Sequence, residues 1–166
     1  MSDQYTKKVA EILQTIRYVT IATVTPEGQP WNSPVAHRPD EDLSRYWAAE
    51  KNSQHSKNIR SNPTAYAVIY DSTVPEGEGE GVYVQAEAHE ISSPEEVLHI
   101  RKLIKGESYV THDNEFLGDD IRRMYKLIPK QIWINDAEVQ DGVFVRDFKV
   151  EVPIEDVRAL LGGADV

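Results

Sequence analysis

The sequence predicts a mainly β protein in which a closed or nearly closed antiparallel sheet carries short helices on its periphery. Three observations favour this fold class. About seven segments are rich in β-branched and aromatic residues, turn signals separate them at hairpin spacing, and helical periodicity is confined to short stretches. An α/β protein would instead show a helix between successive strands. The 166 residues fit one domain over 1–166, with a core over about 5–150.

The first third of the chain is predicted to be a helix followed by an antiparallel meander. Val9, Ile12 and Ile16 recur at helical spacing, and Ser2 or Asp3 can cap the helix start. Residues 18–24 are largely β-branched, and the turn residues 26–28 follow them as the tip of a hairpin. The predicted elements of this part are a helix over 3–17 and strands over 18–24, 30–37 and 43–49.

The remaining elements are predicted from proline, glycine and alternating apolar residues. A helix ends before Pro63, because residues before proline disfavour helical backbone. Ser93, Pro94 and Glu96 form the signature of a helix start, with Glu96 closing a capping box. The predicted elements are helices over 51–62, 93–105 and 153–161, a helical turn or two within 118–125, and strands over 64–70, 82–91, 128–134 and 143–150.

Composition and charge narrow the classes of function. The formal net charge is −10, and residues 61–100 contribute eight acids and no Lys or Arg. This balance argues against a nucleic-acid partner, which needs a basic face. The chain has no cysteine, which excludes disulfides, thiolate metal sites and a cysteine nucleophile. It also has no long apolar run and a polar start, so no membrane association is expected and the cytoplasm is the expected location.

Several familiar motifs carry no chemistry here. Gly77, Gly79 and Gly81 precede a strand and are interleaved with carboxylates, which favours a flexible hairpin loop over a dinucleotide site. The five histidines lack metal-ligand spacing, and no serine-hydrolase signature is present. No metal site is therefore expected.

The segment 53–58 is the strongest candidate site. It follows a predicted strand, opens a predicted helix, and offers two hydroxyls, an imidazole and an ammonium within five residues. Helix N-terminal amides carry partial positive charge, and such side chains complete an anion site. No acid occurs between Lys51 and Tyr70. A capped, solvated surface helix explains the same residues, because helix starts favour serine.

Residues 47–63, Trp-Ala-Ala-Glu-Lys-Asn-Ser-Gln-His-Ser-Lys-Asn-Ile-Arg-Ser-Asn-Pro, resemble the strand, phosphate loop and helix of the FMN-binding split-barrel family, which includes pyridoxamine 5′-phosphate oxidase. The strand 20–24, the turn 28–30, the strand 82–88 and Trp133 follow the family's order, so the resemblance spans about 5–150. It implies a six-stranded antiparallel split β-barrel with peripheral helices. It further implies a homodimer with FMN in two clefts at its interface.

Carried over by position, the resemblance implies a set of cofactor contacts. The phosphate would lie on Ser53, His55 and Lys57, with Gln54 and Asn58 beside them. Ala48 and Ala49 would contact the cofactor, and Trp133 would close over the flavin from the partner subunit. The strand residues Asn32, Ser33, Pro34 and Val35 would line the ring and the ribityl chain. Tyr66, Tyr70 and Tyr83 are expected to pack the barrel or the dimer seam.

The resemblance implies an FMN-dependent oxidoreductase acting on a small-molecule substrate. The oxidase itself ends in an arginine- and tryptophan-rich stretch, whereas this chain ends in residues 153–166 without one, so its substrate is expected to differ. His37 is the candidate general acid or base, since it ends the strand under the ring and titrates near neutrality. Three alternatives remain: a barrel using deazaflavin or haem, a non-catalytic flavin-binding or stress-related protein, and an interaction module without a cofactor.

Overall fold

The computed structural model describes residues 2–77 and 79–162, which form a large antiparallel sheet with helices around it. The mainly β architecture is confirmed. Its elements are α1 (Ser2–Thr15), β1 (Tyr18–Val24), β2 (Pro30–Ala36), β3 (Arg38–Pro39), β4 (Arg45–Glu50), α2 (Gln54–Ser61), β5 (Thr64–Tyr70), β6 (Gly81–Glu90), α3 (Pro94–Lys105), β7 (Arg122–Gln140), β8 (Val143–Glu151) and α4 (Ile154–Gly162).

The sheet is an open path of strands in the order β2-β1-β5-β6-β7-β4-β3, with β8 pairing β7 off this path. The long strand β7 makes this branching possible. One of its edges pairs with β6, while the other pairs with β4 from Arg122 to Leu127 and with β8 from Trp133 to Gln140. Six strands, β1, β2 and β4–β7, form the main sheet; β3 has two residues, and β8 extends β7 into a hairpin arm.

Strand alternation builds the main core. In β1 every second residue from Val19 is buried, and the same alternation recurs in β5 and β6. The helices α1 and α4 pack on each other and add Val9, Leu13 and Val157 to this core. The buried strand residues include Val19, Ile21, Val35, Trp47, Ala67, Ile69, Val82, Val84, Tyr125, Leu127, Ile132 and Ile134.

The opposite side of the strands forms what we call the outer face, defined by Ala22, Tyr66, Val68, Tyr83 and Trp133. These residues alternate with core residues and remain partly exposed. Tyr66 stacks on Trp133 with ring centroids 6.4 Å apart. Most of the sheet therefore presents one face to the core and an aromatic-rich face away from it.

The helical turn predicted within 118–125 is wrong. Residues 113–119 form hydrogen-bonded turns, and the strand β7 already begins at Arg122. Trp47 pairs with Tyr125 across the ladder and the two rings stack 5.4 Å apart. Pairing with β4 therefore overrides a local sequence that has no β-branched run.

A second, smaller core lies under α3. Tyr46, Ile91, Val97, Phe116 and Met124 bury their side chains there, together with Ile100. None of the helices within residues 2–77 and 79–162 has the length and apolar content needed to cross a membrane.

Candidate functional site

The helix α2 follows β4 after a three-residue turn and carries most of the predicted phosphate ligands. Ser53 is its N-cap residue, but the Ser53 side chain makes no capping hydrogen bond. Its Oγ lies 2.8 Å from Ser56 Oγ, and Ser56 in turn donates to the carbonyl oxygen of Glu50 at 3.0 Å. The first-turn amides of α2 are therefore not capped by the Ser53 hydroxyl, and the helix start keeps its affinity for an anion.

Asn58 fixes the helix on the sheet. Its side chain is fully buried, and its Nδ2 donates to Thr23 Oγ1 at 3.0 Å, while its Oδ1 accepts from Gln54 Nε2 at 2.8 Å. Thr23 lies at the end of β1, opposite Trp31 of β2. Asn58 and Gln54 thus bond to each other and to the sheet, which brings the start of α2 close to the β1–β2 hairpin.

His55 and Lys57 face away from this anchor. The imidazole of His55 is partly exposed, and it lies edge-on to the Tyr125 ring with centroids 6.3 Å apart. Burial lowers the pKa of His55, so the ring is neutral at neutral pH and one nitrogen can donate a hydrogen bond. Lys57 is exposed and supplies the positive charge on this part of the helix.

A charged network beside α2 was not predicted from the sequence. Glu90, at the end of β6, accepts from Arg60 Nη1 at 2.9 Å and from the hydroxyl of Tyr125 at 3.3 Å. Its other carboxylate oxygen lies 3.3 Å from Arg123 Nε. The misread segment 118–125 contains two of these residues, and only the β6–β7 pairing brings them to Glu90. This network neutralises the acid nearest to the fully buried Tyr125 ring.

The strand β2 is an edge strand and pairs with β1 alone among the described strands. Asn32 and Pro34 point to its outer face, and Ser33 and Val35 point to its inner face, where Val35 is buried. Pro34 suits an edge strand because it lacks an amide hydrogen. The unpaired edge offers backbone donors and acceptors to a flat ligand lying along residues 32–35.

The remaining predicted contacts lie on β4 and β7. Ala48 is exposed and Ala49 partly exposed at the end of β4, directly before the turn into α2. Trp133 lies on the outer face of β7, four strands from β2, or about 19 Å along the sheet. The structure therefore brings the end of β4 and the helix α2 close to the β1–β2 hairpin, whereas Trp133 of the same chain lies on the outer face four strands away from β2.

His37 does not match the role expected of it. It is 3% exposed, its Nε2 lies 3.1 Å from the carbonyl oxygen of Ile16, and its Nδ1 lies 3.3 Å from Arg45 Nη1. Burial and the positive charge of Arg45 lower the pKa of His37 to about 4. The prediction that it titrates near neutrality is wrong, because burial and the neighbouring Arg45 disfavour the positively charged form of the ring.

A model of the pyridoxamine 5′-phosphate oxidase family matches residues 5–134, which include β2, α2 and Trp133. The chain belongs to the pyridoxamine 5′-phosphate oxidase family. No curated protein matches it.

Several solved structures share the fold of this chain. A putative pyridoxamine 5′-phosphate oxidase from Listeria innocua superposes with a TM-score of 0.60 at 18% identity, covering 78% of this chain and 96% of that chain. A haem-binding protein from Mycobacterium smegmatis superposes with a TM-score of 0.62 at 16% identity, covering 93% of this chain and 60% of that chain. The haem storage protein from Vibrio cholerae superposes with a TM-score of 0.59 at 16% identity, covering 76% of this chain and 91% of that chain. These identities establish the fold alone.

The donor set of this family member fits a cofactor with a phosphate and a planar ring. Uncapped helix amides, the Ser53 hydroxyl and the Lys57 ammonium are the groups that bind a phosphate monoester. The backbone donors and acceptors at the unpaired edge of β2 suit the polar atoms at the rim of a planar ring. Glu50 is the nearest acid in sequence, and its Oε1 accepts from the backbone amide of Asn52 at 3.0 Å, which keeps it in the turn before the helix.

Proposed function

We propose that this chain binds FMN at the interface of a homodimer and acts as an oxidoreductase on a small molecule other than pyridoxamine 5′-phosphate. The observation that carries the proposal is the start of α2, where the N-cap hydroxyl leaves the first-turn amides uncapped. Family membership over residues 5–134 supports the same cofactor. We place the protein in the cytoplasm.

The phosphate would be held by backbone and side chain together. Ser53 Oγ lies within 3.4 Å of the His55 ring, so the hydroxyl and the imidazole converge on one point at the helix start. Lys57 adds a charge that neither Asn58 nor Gln54 provides. Because the anchor through Asn58 is buried, the backbone of α2 is fixed relative to β1 before a ligand arrives, which lowers the entropy cost of binding.

The dimer is supported by apolar surface that this protomer leaves open. Tyr18 is 57% and Tyr70 51% exposed at the margin of the outer face, and Phe144 is 59% exposed on the β7–β8 arm. Patches of exposed apolar side chains on soluble proteins mark association sites. In the proposed dimer, the partner's Trp133 would lie over β2 and α2 of the first protomer.

When bound, FMN supplies hydride-transfer chemistry, and the chain supplies placement and electrostatics. Within this chain, β2 would orient the ring through its backbone edge, α2 would hold the phosphate, and the partner's Trp133 would exclude water from one side. We assign no catalytic residue, since the imidazole of His37 is enclosed by Ile16 and Arg45.

Replacing Lys57 by Glu tests the phosphate site. The substitution reverses the charge on an exposed side chain, so the fold should persist while FMN binds at least about tenfold more weakly. Lys105→Glu, at the end of α3, makes the same charge change away from α2 and is the matched control. FMN titration of the apoprotein measures both. Equal affinity in the two variants would contradict the proposed site.

Haem is the second candidate, because two structural neighbours are a haem-binding and a haem storage protein. An imidazole is a common axial ligand of haem iron, and His55 is partly exposed whereas His37 is enclosed. A Soret band in the purified protein that disappears in His55→Ala would favour haem. Flavin absorption bands would favour FMN.

Measuring turnover distinguishes the proposed oxidoreductase from a non-catalytic flavin carrier. Consumption of reduced nicotinamide by the holoprotein, with a panel of small electron acceptors, supports the oxidoreductase. Flavin that is bound but is never reduced by any donor in the panel would favour the carrier.

A further inference from the structure

A lysine ammonium lies among the aromatic rings of the outer face. Lys149 is on β8, and its side chain crosses β7, so that its Nζ lies 3.8 Å from the centroid of the Tyr83 ring and 5.9 Å from that of Tyr66. Tyr66 in turn stacks on Trp133. The ammonium and the indole therefore belong to one group of side chains, which we call the lysine–aromatic cluster: Tyr66, Tyr83, Trp133 and Lys149.

Strand register explains why these side chains meet. Tyr83 of β6 pairs with Trp133 of β7, while Lys149 of β8 pairs with Asn135, two residues further along β7. Paired residues on neighbouring strands point to the same face of a sheet, and so do residues two apart on one strand. Tyr83, Trp133 and Lys149 therefore project from the same side, and the long lysine stem reaches the tyrosine ring across β7.

No acid neutralises this ammonium within residues 2–77 and 79–162. Lys149 makes no ion pair or hydrogen bond there, although Asp147 and Glu151 lie two residues away on the same face of β8. Lys130 of β7, in contrast, pairs with Glu87 at 3.1 Å. The aromatic rings attract the Lys149 ammonium through their negative faces, but they leave its full positive charge in place.

This charge needs a counter-charge once the outer face is covered. A buried ammonium is costly without one. In the proposed dimer, the outer face is turned to a second protomer, and Trp133 lies over that protomer's flavin. Transfer of a hydride to the neutral, oxidised flavin adds one proton and two electrons, so the ring then carries one negative charge until it takes up a further proton.

We propose that Lys149 reaches the partner subunit's flavin together with Trp133, and that its ammonium stabilises the reduced, negatively charged ring relative to the oxidised, neutral one. The inference rests on the proposed FMN-binding dimer and adds a residue that raises the reduction potential of the cofactor. Lys149 acts through its charge alone; it breaks no bond and transfers no proton.

The reduction potential of FMN in the holoprotein tests this role. Lys149→Met keeps an unbranched side chain and removes the charge. The preference for reduced over oxidised FMN should therefore fall about tenfold, which lowers the two-electron potential by about 30 mV. Lys149→Arg keeps the charge and should retain the potential. Lys105→Met, which removes an exposed lysine at the end of α3, is the matched control and should also retain it.

Two further measurements separate this role from a structural one. The affinity of the apoprotein for oxidised FMN should be unchanged in Lys149→Met, because the oxidised ring is neutral. An unchanged potential in Lys149→Met would overturn the inference while leaving the proposed FMN site intact. A weaker dimer at that unchanged potential, measured by analytical ultracentrifugation, would instead assign Lys149 to an ion pair with an acid of the second protomer. A purified chain that binds no FMN would overturn the proposed function and this inference with it.

Discussion

Single residues at the candidate site divide into those that hold the fold and those that face solvent. Ser56 and Asn58 are fully buried and hydrogen-bonded to Glu50 and Thr23, so they position α2. His55 and Lys57 lie on the same helix with free approach from outside. A charge change at Lys57 should therefore alter binding, whereas a change at Asn58 should alter stability.

The residue types at the start of α2 could be predicted from the sequence. Which of them position the helix and which face solvent could not. Asn58 meets Thr23, which is 35 residues away in the chain, and no local pattern encodes that contact. The prediction that His37 titrates near neutrality was wrong for the same reason. Its enclosure depends on the carbonyl oxygen of Ile16 and on Arg45, which only the folded sheet brings together.

His37 gives the protein a specific acid sensitivity. Its pKa is about 4 in the native state and 6.5 as the ordinary value, so the unfolded chain binds more protons between these values. The free energy of unfolding contributed by His37 is thus fully present above pH 6.5 and is lost as the pH falls to about 4. The contribution lost is about 3 kcal/mol.

Replacing His37 by Gln tests this sensitivity. Gln keeps one donor and one acceptor without titrating, so its stability should fall less steeply between pH 6.5 and 4 than that of the unmodified chain. Urea unfolding at several pH values measures the two slopes, and the carboxylates shared by both proteins cancel. Parallel stability curves would show that His37 is not a buried neutral imidazole.

At the scale of elements, local pattern predicted strands best where β-branched residues alternate. The bounds of β1 and β5 agree with the sequence prediction, because both strands alternate buried and exposed residues throughout. The strand β7 is different. Its first residues, Arg122 to Tyr125, become a strand through pairing with β4, a partner more than 70 residues earlier in the chain.

The start of α3 is stabilised by its N-cap residue, Ser93. The Ser93 side chain accepts from the amide of Glu96 at 3.2 Å, as predicted, but its hydroxyl donates to Glu95 at 2.6 Å, so Glu95 rather than Glu96 is its carboxylate partner. Ser93→Ala should cost about 1 kcal/mol and lower the unfolding midpoint by about 2–4 °C.

Ser92→Ala is the matched control, since Ser92 is the exposed neighbour just outside the helix. Thermal unfolding of both variants by circular dichroism measures the difference. Identical midpoints for the two variants would mean that the Ser93 cap contributes nothing to α3.

For the whole molecule, charge and apolar surface point to different partners. The net charge of −10 is concentrated in residues 61–100, while residues 51–70 contain no acid, so the acidity of the protein does not exclude the proposed anion site at α2. Several of the large apolar side chains left open lie at the margin of the outer face, as Tyr18 and Tyr70 do, or on the β7–β8 arm, as Phe144 does. We expect these surfaces to be covered by a second copy of the chain.

Phe144→Glu tests the arm as part of a dimer interface. A carboxylate in place of this exposed ring should weaken the dimer by about 30-fold or more, because a charge would be buried there without a partner. Val110→Glu, at a 76% exposed position in the loop after α3, is the control and should leave the dimer unchanged. Analytical ultracentrifugation over a concentration series measures both dissociation constants. A dimer that is equally stable in both variants would exclude the arm from the interface.

The identity of the bound cofactor tests the central claim most directly. The absorbance spectrum of the purified full chain, followed by mass analysis of the released molecule, should show flavin bands and FMN at about one molecule per chain. A Soret band with released haem, or FMN that remains equally bound in Lys57→Glu, would contradict the account.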